Sequence, residues 1–373
     1  MDALIFAIGA ALLAFVLWDI FQSVVVPRPT PGRIRLARFI VRPTWVLWRW
    51  LGLRRRESLS RDWFLGLYAP GAALLLFGVW LVVIILADGL MLFALRSELQ
   101  PSPQNLFDAL YFAGSSALTI GYGDVVANGA ASRVVALFAA TTGLGVVALV
   151  ITFVFSLFGS YQRREILVVT LSARAKSPPA AVTLLETYAR LDLVDELPAL
   201  FKEWEHWSAE VLDSHVAYPL LGYFRSSHDN SSWISAVGAV LDAAALVVTT
   251  IREVPRGQAE ITLRVGAHLV EDISNFIGLA GDGSGVDVEA FSTVYERLGA
   301  AGYALEERDA AWRRFERARG KYAGRLETLA AYWATPAPSW VGVKAYGRPV
   351  LHMHPQPAPT TEVISSAQEG GPT

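Results

Sequence analysis

The sequence predicts an all-α membrane protein that carries a second, water-facing helical half, and three observations predict it. Three apolar stretches, each long enough to cross a bilayer, fall within the first 160 of 373 residues. Arginines cluster between the first two stretches and at the exit of the third. From Ile166 onward the composition turns to an amphipathic mix at helical spacing. Overall, 53% hydrophobic residues and a mean hydropathy of +0.37 are too apolar for an ordinary soluble chain. The net charge of −2 gives no basic field for a nucleic-acid partner. With no cysteine, disulfides, iron–sulfur ligation and thiol nucleophiles are excluded.

The first stretch, Ala3 to Val26, matches the roughly 20 residues that span a bilayer core as helix. A cleaved signal peptide is the competing reading. Asp2 stands where a positive n-region belongs, and no small-residue cleavage pattern precedes Pro27, so a retained helix is expected. Asp19 lies deep in this run, and an arginine of the next segment is its expected partner.

Ten arginines lie between Pro27 and Asp62, a density that marks the cytoplasmic side. With Phe39, Ile40, Trp45, Trp48 and Trp50 among them, the segment reads as a basic amphipathic helix in the headgroup layer, with membrane lipids as its partner. Arg35, Arg38 and Arg42 recur at three and four as in a voltage-sensing helix. Pro31 and Pro43 are expected to bound that run, and only one spanning helix precedes it, so voltage sensing is set aside.

Leu65 to Leu95 is the second span, starting inside and ending outside by the arginine distribution. Asp88 falls in its outer half, as a brace for the next helix or as a carboxylate reaching the outer headgroups. Pro101 and Pro103 make a turn, after which Asn105 caps a short helix, Leu106 to Leu118. The third long span is Arg133 to Phe158, ended by Gly159 and Arg163-Arg164-Glu165.

Between these two helices stands Thr119-Ile120-Gly121-Tyr122-Gly123-Asp124. A dehydrated cation needs rings of oxygens in place of its water, and a Thr-x-Gly-Tyr-Gly run supplies them from main-chain carbonyls of four copies around one axis. Consecutive carbonyls point the same way only if φ alternates in sign, which Gly121 and Gly123 permit without a Cβ penalty. Here the sequence resembles the potassium channel family, whose filter signature these six residues match, and the resemblance covers Leu65 to Arg164. It implies a homotetrameric, potassium-selective pore with an outer helix, a pore helix, a filter and an inner helix. K+ would sit at Thr119, Ile120, Gly121 and Tyr122, with the filter completed by Gly123 and Asp124 at the outer mouth. Tyr122 and Ile120 would turn outward, the tyrosine bracing the loop. Relatives often carry a tryptophan pair in the pore helix. Here Tyr111 and Phe112 take those places, and Phe112 has no hydrogen bond to give Asp124, so a loosened filter passing sodium is one alternative and Ser115 and Ser116 are the substitutes at hand. The inner helix by resemblance lines the pore: Gly143 takes the hinge place, or is a small packing residue, with Gly145 as a second candidate. Leu144, Val147, Ile151 and Phe155 recur on one face toward the conduction path, where Ile151 or Phe155 would close it by dewetting.

The second half predicts helices at about 179–191, 194–213, 233–251, 258–279, 288–300 and 305–332. Trp233 to Ile251 is apolar enough for a fourth span. Crossing there would export Arg313, Arg314, Arg317, Arg319, Lys321 and Arg325, so a buried core helix carrying Asp242 is expected. The glycine-rich stretch 278–285 follows no strand and reads as a loop that ends a helix rather than a phosphate cradle. The histidines are too scattered for a metal site, and no acid–base pair, nucleophile set or zinc signature supports an enzyme.

The expected organisation is an N-terminal transmembrane helix (1–27), a basic interfacial segment (28–62), a pore domain (63–165), a cytoplasmic α-helical domain (166–335) and a disordered tail (336–373). The N-terminus is outside the cell membrane, and no cofactor is required beyond the permeant K+. The regulatory ligand or protein partner is not legible in the sequence. A membrane-anchored sensor or scaffold with a non-conducting pore is the alternative from another class.

Overall fold

A computed structural model describes residues 1–26, 36–55, 58–226, 231–283 and 285–342, and Met1–Gly342 forms one compact unit. Arg28, Pro31, Arg33, Arg35, Arg56, His228, His352 and His354 lie outside the described residues, as does the tail from 343.

Helix α1 (Asp2–Ile20) ends in a widened turn, Phe21–Val25, with i→i+5 geometry. It packs along α4 (Tyr68–Ala94) so closely that a Cβ on Gly9 would stand 2.7 Å from the Ala87 carbonyl oxygen. On one side of the membrane region Arg96 donates to both carboxylate oxygens of Asp2, at 2.8 and 3.2 Å, joining the start of α1 to the end of α4. Asp19 is buried, but not against an arginine. It accepts from the Trp80 indole at 2.8 Å and from the Leu36 amide at 2.9 Å, so a neutral donor pair takes the place of the expected ion pair.

Helix α2 (Leu36–Leu53) does not stop at Pro43. The ring removes an amide from the ladder. The carbonyl left without its helical donor is that of Phe39, while the next two gain side-chain donors, Thr44 Oγ1 to Ile40 O at 2.6 Å and the Tyr68 hydroxyl to Val41 O, and the helix continues. Two of its arginines have partners within the chain. Arg42 donates to Phe276 O and Ile277 O, and Arg49 to Ala331 O, each at the C-terminal end of another helix, where free carbonyls and the helix dipole favour a cation. Trp45 is buried and donates to Tyr332 O. The apolar residues Phe39, Val46, Leu47 and Trp50 stay exposed on α2. Helix α3 (Ser58–Gly66) follows, and Arg225 holds it by donating to Asp62 at 2.8 Å.

The helix α5 (Leu106–Ala117) is preceded by a two-residue strand β1 (Leu99–Gln100), paired antiparallel with β2 (Val126–Ala127); with an isolated bridge between Ile251 and Leu305 this pair departs from an all-α chain. Helix α6 (Ala130–Ala175) runs 46 residues, about 70 Å at 1.5 Å per residue, more than twice a bilayer core. The expected end at Gly159 is absent because Arg164 and Glu165 do not meet water. They are buried against the second half of the chain, and the helix passes through the proposed boundary at 165 unbroken.

That second half contains α7 (Ala181–Arg190), α8 (Leu197–Ala217), α9 (Trp233–Thr249), α10 (Arg256–Ile277), α11 (Val288–Ala300), α12 (Arg308–Arg319) and α13 (Ala323–Trp333). Every residue of α9 except Val248 is buried, and Asp242 accepts from Arg319 Nε at 3.0 Å and from the Tyr322 hydroxyl at 2.7 Å. It is the central helix of this half. The helix expected over 305–332 is two, broken at Gly320 to Tyr322. Gly278 caps α10 at φ +79°, as a helix-ending glycine does. Residues 336–342 are packed rather than disordered, with Trp340 buried on Phe315. One hydrophobic core joins Trp45, Tyr68 and Leu157 of the first half to α7–α13, so the two halves share an interior.

Candidate pore and selectivity filter

Helix α5 starts where the sequence predicts. The Asn105 side chain accepts from the Asp108 amide at 3.1 Å, and its backbone is extended as an N-cap requires. At the other end its last turn holds the filter. The Thr119 amide donates to Ser116 O at 3.0 Å and the Ile120 amide to Ser115 O at 2.8 Å. The Gly121 amide also reaches Ser115 O, at 3.4 Å. Ser115 and Ser116 therefore contribute through backbone carbonyls, while the Ser115 hydroxyl turns back to Phe112 O.

With those amides tied to the helix, φ is positive at alternate residues: Thr119 at +55°, Gly121 at +60° and Gly123 at +80°. Among the described residues, the carbonyls of Thr119, Ile120, Gly121 and Tyr122 accept no backbone hydrogen bond. Four successive acceptors are thus free, followed in the chain by Gly123 and Asp124. Sequence reasoning named the two glycines and missed Thr119, since a β-branched residue rarely adopts positive φ and nothing in its identity signals it.

The clasp behind the filter comes from Tyr111. Its hydroxyl donates to Asp124 Oδ2 at 2.9 Å, while Asp124 Oδ1 accepts from the Val125 amide. The Tyr111 ring stacks on Tyr122 with centroids 6.2 Å apart and planes within 4°. Phe112, the residue on which the loosened filter was argued, is buried in the packing of α5 instead. Tyr122 is braced as expected yet 67% exposed, and Ile120 is also exposed, since the single chain offers them no further cover.

Two groups that the sequence did not single out fix the outer rim. Glu98 Oε2 accepts from the Ser132 amide at 2.9 Å, and Glu98 O accepts from Asn128 and Gly129, which caps the start of α6. Asp88, by contrast, does neither thing expected of it. It is fully buried with no hydrogen bond to either oxygen, so it neither braces α5 nor reaches headgroups.

On α6, Gly143 is a packing residue. A Cβ there would stand 1.9 Å from Ala117 O, so the inner helix touches the backbone at the end of α5, and Gly143 does not join the exposed face. Leu144, Val147, Ile151 and Phe155 do share an exposed face, with Leu144 at 62% and Phe155 at 75% exposure. Gly145 has open space around it.

Residues 78–160, from the middle of α4 through the filter to α6, match a family model described as "Ion channel". Over those residues the chain is similar to an ion channel domain. No curated protein and no solved structure matches the chain. An ion channel domain conducts ions passively and is not an enzyme fold, and three helices of the described residues, Asp2–Val25, Ser60–Ala94 and Ala130–Ala175, are long and apolar enough to span a bilayer. The protein is a helical membrane protein.

Proposed function

We propose that the chain is a potassium-selective channel, assembled as a homotetramer and gated at α6 by the cytoplasmic helices α7–α13. The observation that carries this reading is the free carbonyl run from Thr119 to Tyr122 with positive φ at alternate residues. One chain presents a single file of oxygens, and a ring that replaces a hydration shell needs four. K+ then sits against Thr119, Ile120, Gly121 and Tyr122, with Gly123 and Asp124 at the outer mouth. Support for assembly lies in the exposed faces: the filter, and Leu144, Val147, Ile151 and Phe155 on α6, are apolar or acceptor-rich surfaces that a subunit axis would cover. In the membrane, the Asp2–Arg96 end is outside and the arginine-rich α2 and α7–α13 are cytoplasmic. The exposed apolar face of α2 lies on acyl chains at the inner interface.

The test is potassium-over-sodium flux from purified protein in liposomes, with and without external barium. Selective, barium-sensitive flux is the expected result. Gly121→Ala forces a side chain into φ +60°, which costs about 1–2 kcal/mol and turns the carbonyl run, so flux should vanish while the oligomer persists. Normal selective flux from that variant would overturn the filter assignment.

A further inference from the structure

A partly enclosed cavity of about 140 Å³ lies where the membrane helices meet the cytoplasmic ones. Its walls include Leu76, Phe77 and Trp80 of α4, Phe153 of α6, and Ile273 and Ile277 of α10. This lining is apolar, yet three of its groups are polar and unsatisfied. Gln22 Oε1, Ser23 Oγ and Trp333 Nε1 are buried without a hydrogen-bond partner, in residues that line this one space. Gln22 is 5% exposed and Trp333 is 3% exposed, so water at the protein surface does not serve them. A buried polar group without a partner costs about 1–3 kcal/mol, which three such groups around one void repeat. Gln22 and Ser23 also fall in the widened turn Phe21–Val25, the geometry that places them on this wall.

We propose that this cavity binds a small neutral amphiphile: an alkyl chain of about six carbons bearing a hydroxyl. Size follows from volume, since an apolar cavity of about 150 Å³ takes a six-carbon ring. Polarity follows from the orphaned groups, because a hydroxyl both donates, as Gln22 Oε1 needs, and accepts, as Trp333 Nε1 needs. Neutrality follows from the lining, which is uncharged apart from Arg42, whose Nη2 donates to Phe276 O and Ile277 O rather than into a carboxylate. The hydroxyl could belong to a free alkanol or to a bilayer lipid such as a diacylglycerol. Because Phe153 of α6 lines the same cavity as Arg42 of α2 and Ile273 of α10, occupancy bears on the inner helix. That consequence for conduction rests on the channel reading, whereas the binding does not.

The experiment uses the full chain in phosphatidylcholine nanodiscs, photolabelled with a diazirine-bearing hexanol and mapped by peptide mass spectrometry. Saturable labelling on Phe77, Ile273 and neighbouring cavity residues is expected, competed by hexan-1-ol at concentrations at least tenfold lower than by hexane. Ser23→Ala and Gln22→Met remove an orphaned group at nearly constant volume and should each raise the half-labelling concentration at least threefold without lowering the thermal midpoint. Competition by hexan-1-ol alone identifies a free amphiphile, and stronger competition by dioctanoylglycerol identifies a lipid hydroxyl. Non-saturable labelling spread over lipid-facing Leu74 and Val82 would overturn the site, as would equal competition by hexane. Saturable labelling in a protein that gives no ion flux would uphold the site and count against the channel reading alone.

Discussion

Gly143→Ala puts the packing of the pore to a direct test. A Cβ at this position would lie 1.9 Å from the Ala117 carbonyl oxygen, 2.6 Å from its carbon and 2.9 Å from its Cα, whereas ordinary contact begins at 3.4 Å. The obstacle is backbone, so no side chain can rotate away, and α6 must retreat from α5 by about 1.5 Å, the difference between 3.4 and 1.9 Å. Overpacking of this kind costs about 1–3 kcal/mol, and a rigid obstacle places it at the upper end. The better helix propensity of alanine returns about 1 kcal/mol, leaving a net loss of about 2 kcal/mol. Ala117 stands two residues before Thr119, so the same displacement reaches the first free carbonyl. The assay pairs a thermal midpoint of the purified protein with the potassium-to-sodium flux ratio in liposomes. Both should fall, while Gly145→Ala, which meets nothing within 4 Å in its own subunit, should leave the midpoint unchanged or raised. A Gly143→Ala protein with wild-type midpoint and ratio would refute the close approach of α6 to the end of α5.

Tyr111→Phe removes the hydroxyl that holds Asp124 but keeps the ring stacked on Tyr122. It should lower the potassium-to-sodium ratio severalfold at unchanged expression and assembly, and an unchanged ratio would show the clasp to be idle. Asp88→Leu replaces two unsatisfied buried oxygens with an apolar group of similar size and should raise stability by about 1–3 kcal/mol, read as a higher thermal midpoint. His215 is held neutral: burial, and then the Arg164 guanidinium beside it, push its pKa down from 6.5 to about 3. The unfolded chain therefore takes a proton at a pH where the folded chain does not, so stability is flat above pH 6.5 and falls as the pH drops toward 3. The loss is about 1.4 kcal/mol per pH unit at most, or about 2 kcal/mol at pH 5, and His215→Gln should flatten this profile.

What the sequence made legible were features that a short stretch decides by itself. The three spans follow from apolar length, the Asn105 cap from residue type and position, and the burial of α9 from its composition set against the arginines after it. The misses depend on partners distant in sequence. Arg163-Arg164-Glu165 reads as an exit to water, but Arg164 donates to Leu221 O and Phe224 O at 2.9 Å and pairs with Glu165, which in turn accepts from Ser226. Pro43 reads as a stop, yet α2 continues through it, with Tyr68 reaching Val41 O on the same turn from 27 residues away. Arg42 and Arg49 read as headgroup ligands because no local pattern shows that α10 and α13 end beside them. Phe112, which has no hydrogen bond to give, puts the clasp on Asp124 in doubt from sequence, because helix phase decides that Tyr111 is the residue that reaches it.

The buried junction constrains where the proposed gate can move. Arg164 has five N–H donors, and all five are engaged: by Glu165, by Leu221 O and Phe224 O, and by His215 Nε2 at 3.2 Å. The Trp207 indole donates to the Arg164 carbonyl at 3.0 Å, so main chain and side chain are both held. Opening such a pair leaves an uncompensated buried charge, at a cost of about 3–5 kcal/mol. α6 therefore moves as one piece with α7–α13 from about Leu157, which is buried in their shared core. At its other end Gly143 is fixed against Ala117. Bending that opens the pore is thereby confined to the stretch from Leu144 to Phe155, where Gly145 has room and the exposed apolar face has no partner within the subunit. That stretch contains Ile151 and Phe155, the two residues proposed to close the pore, on the face opposite Phe153, which packs edge-on against Phe77 and Tyr218.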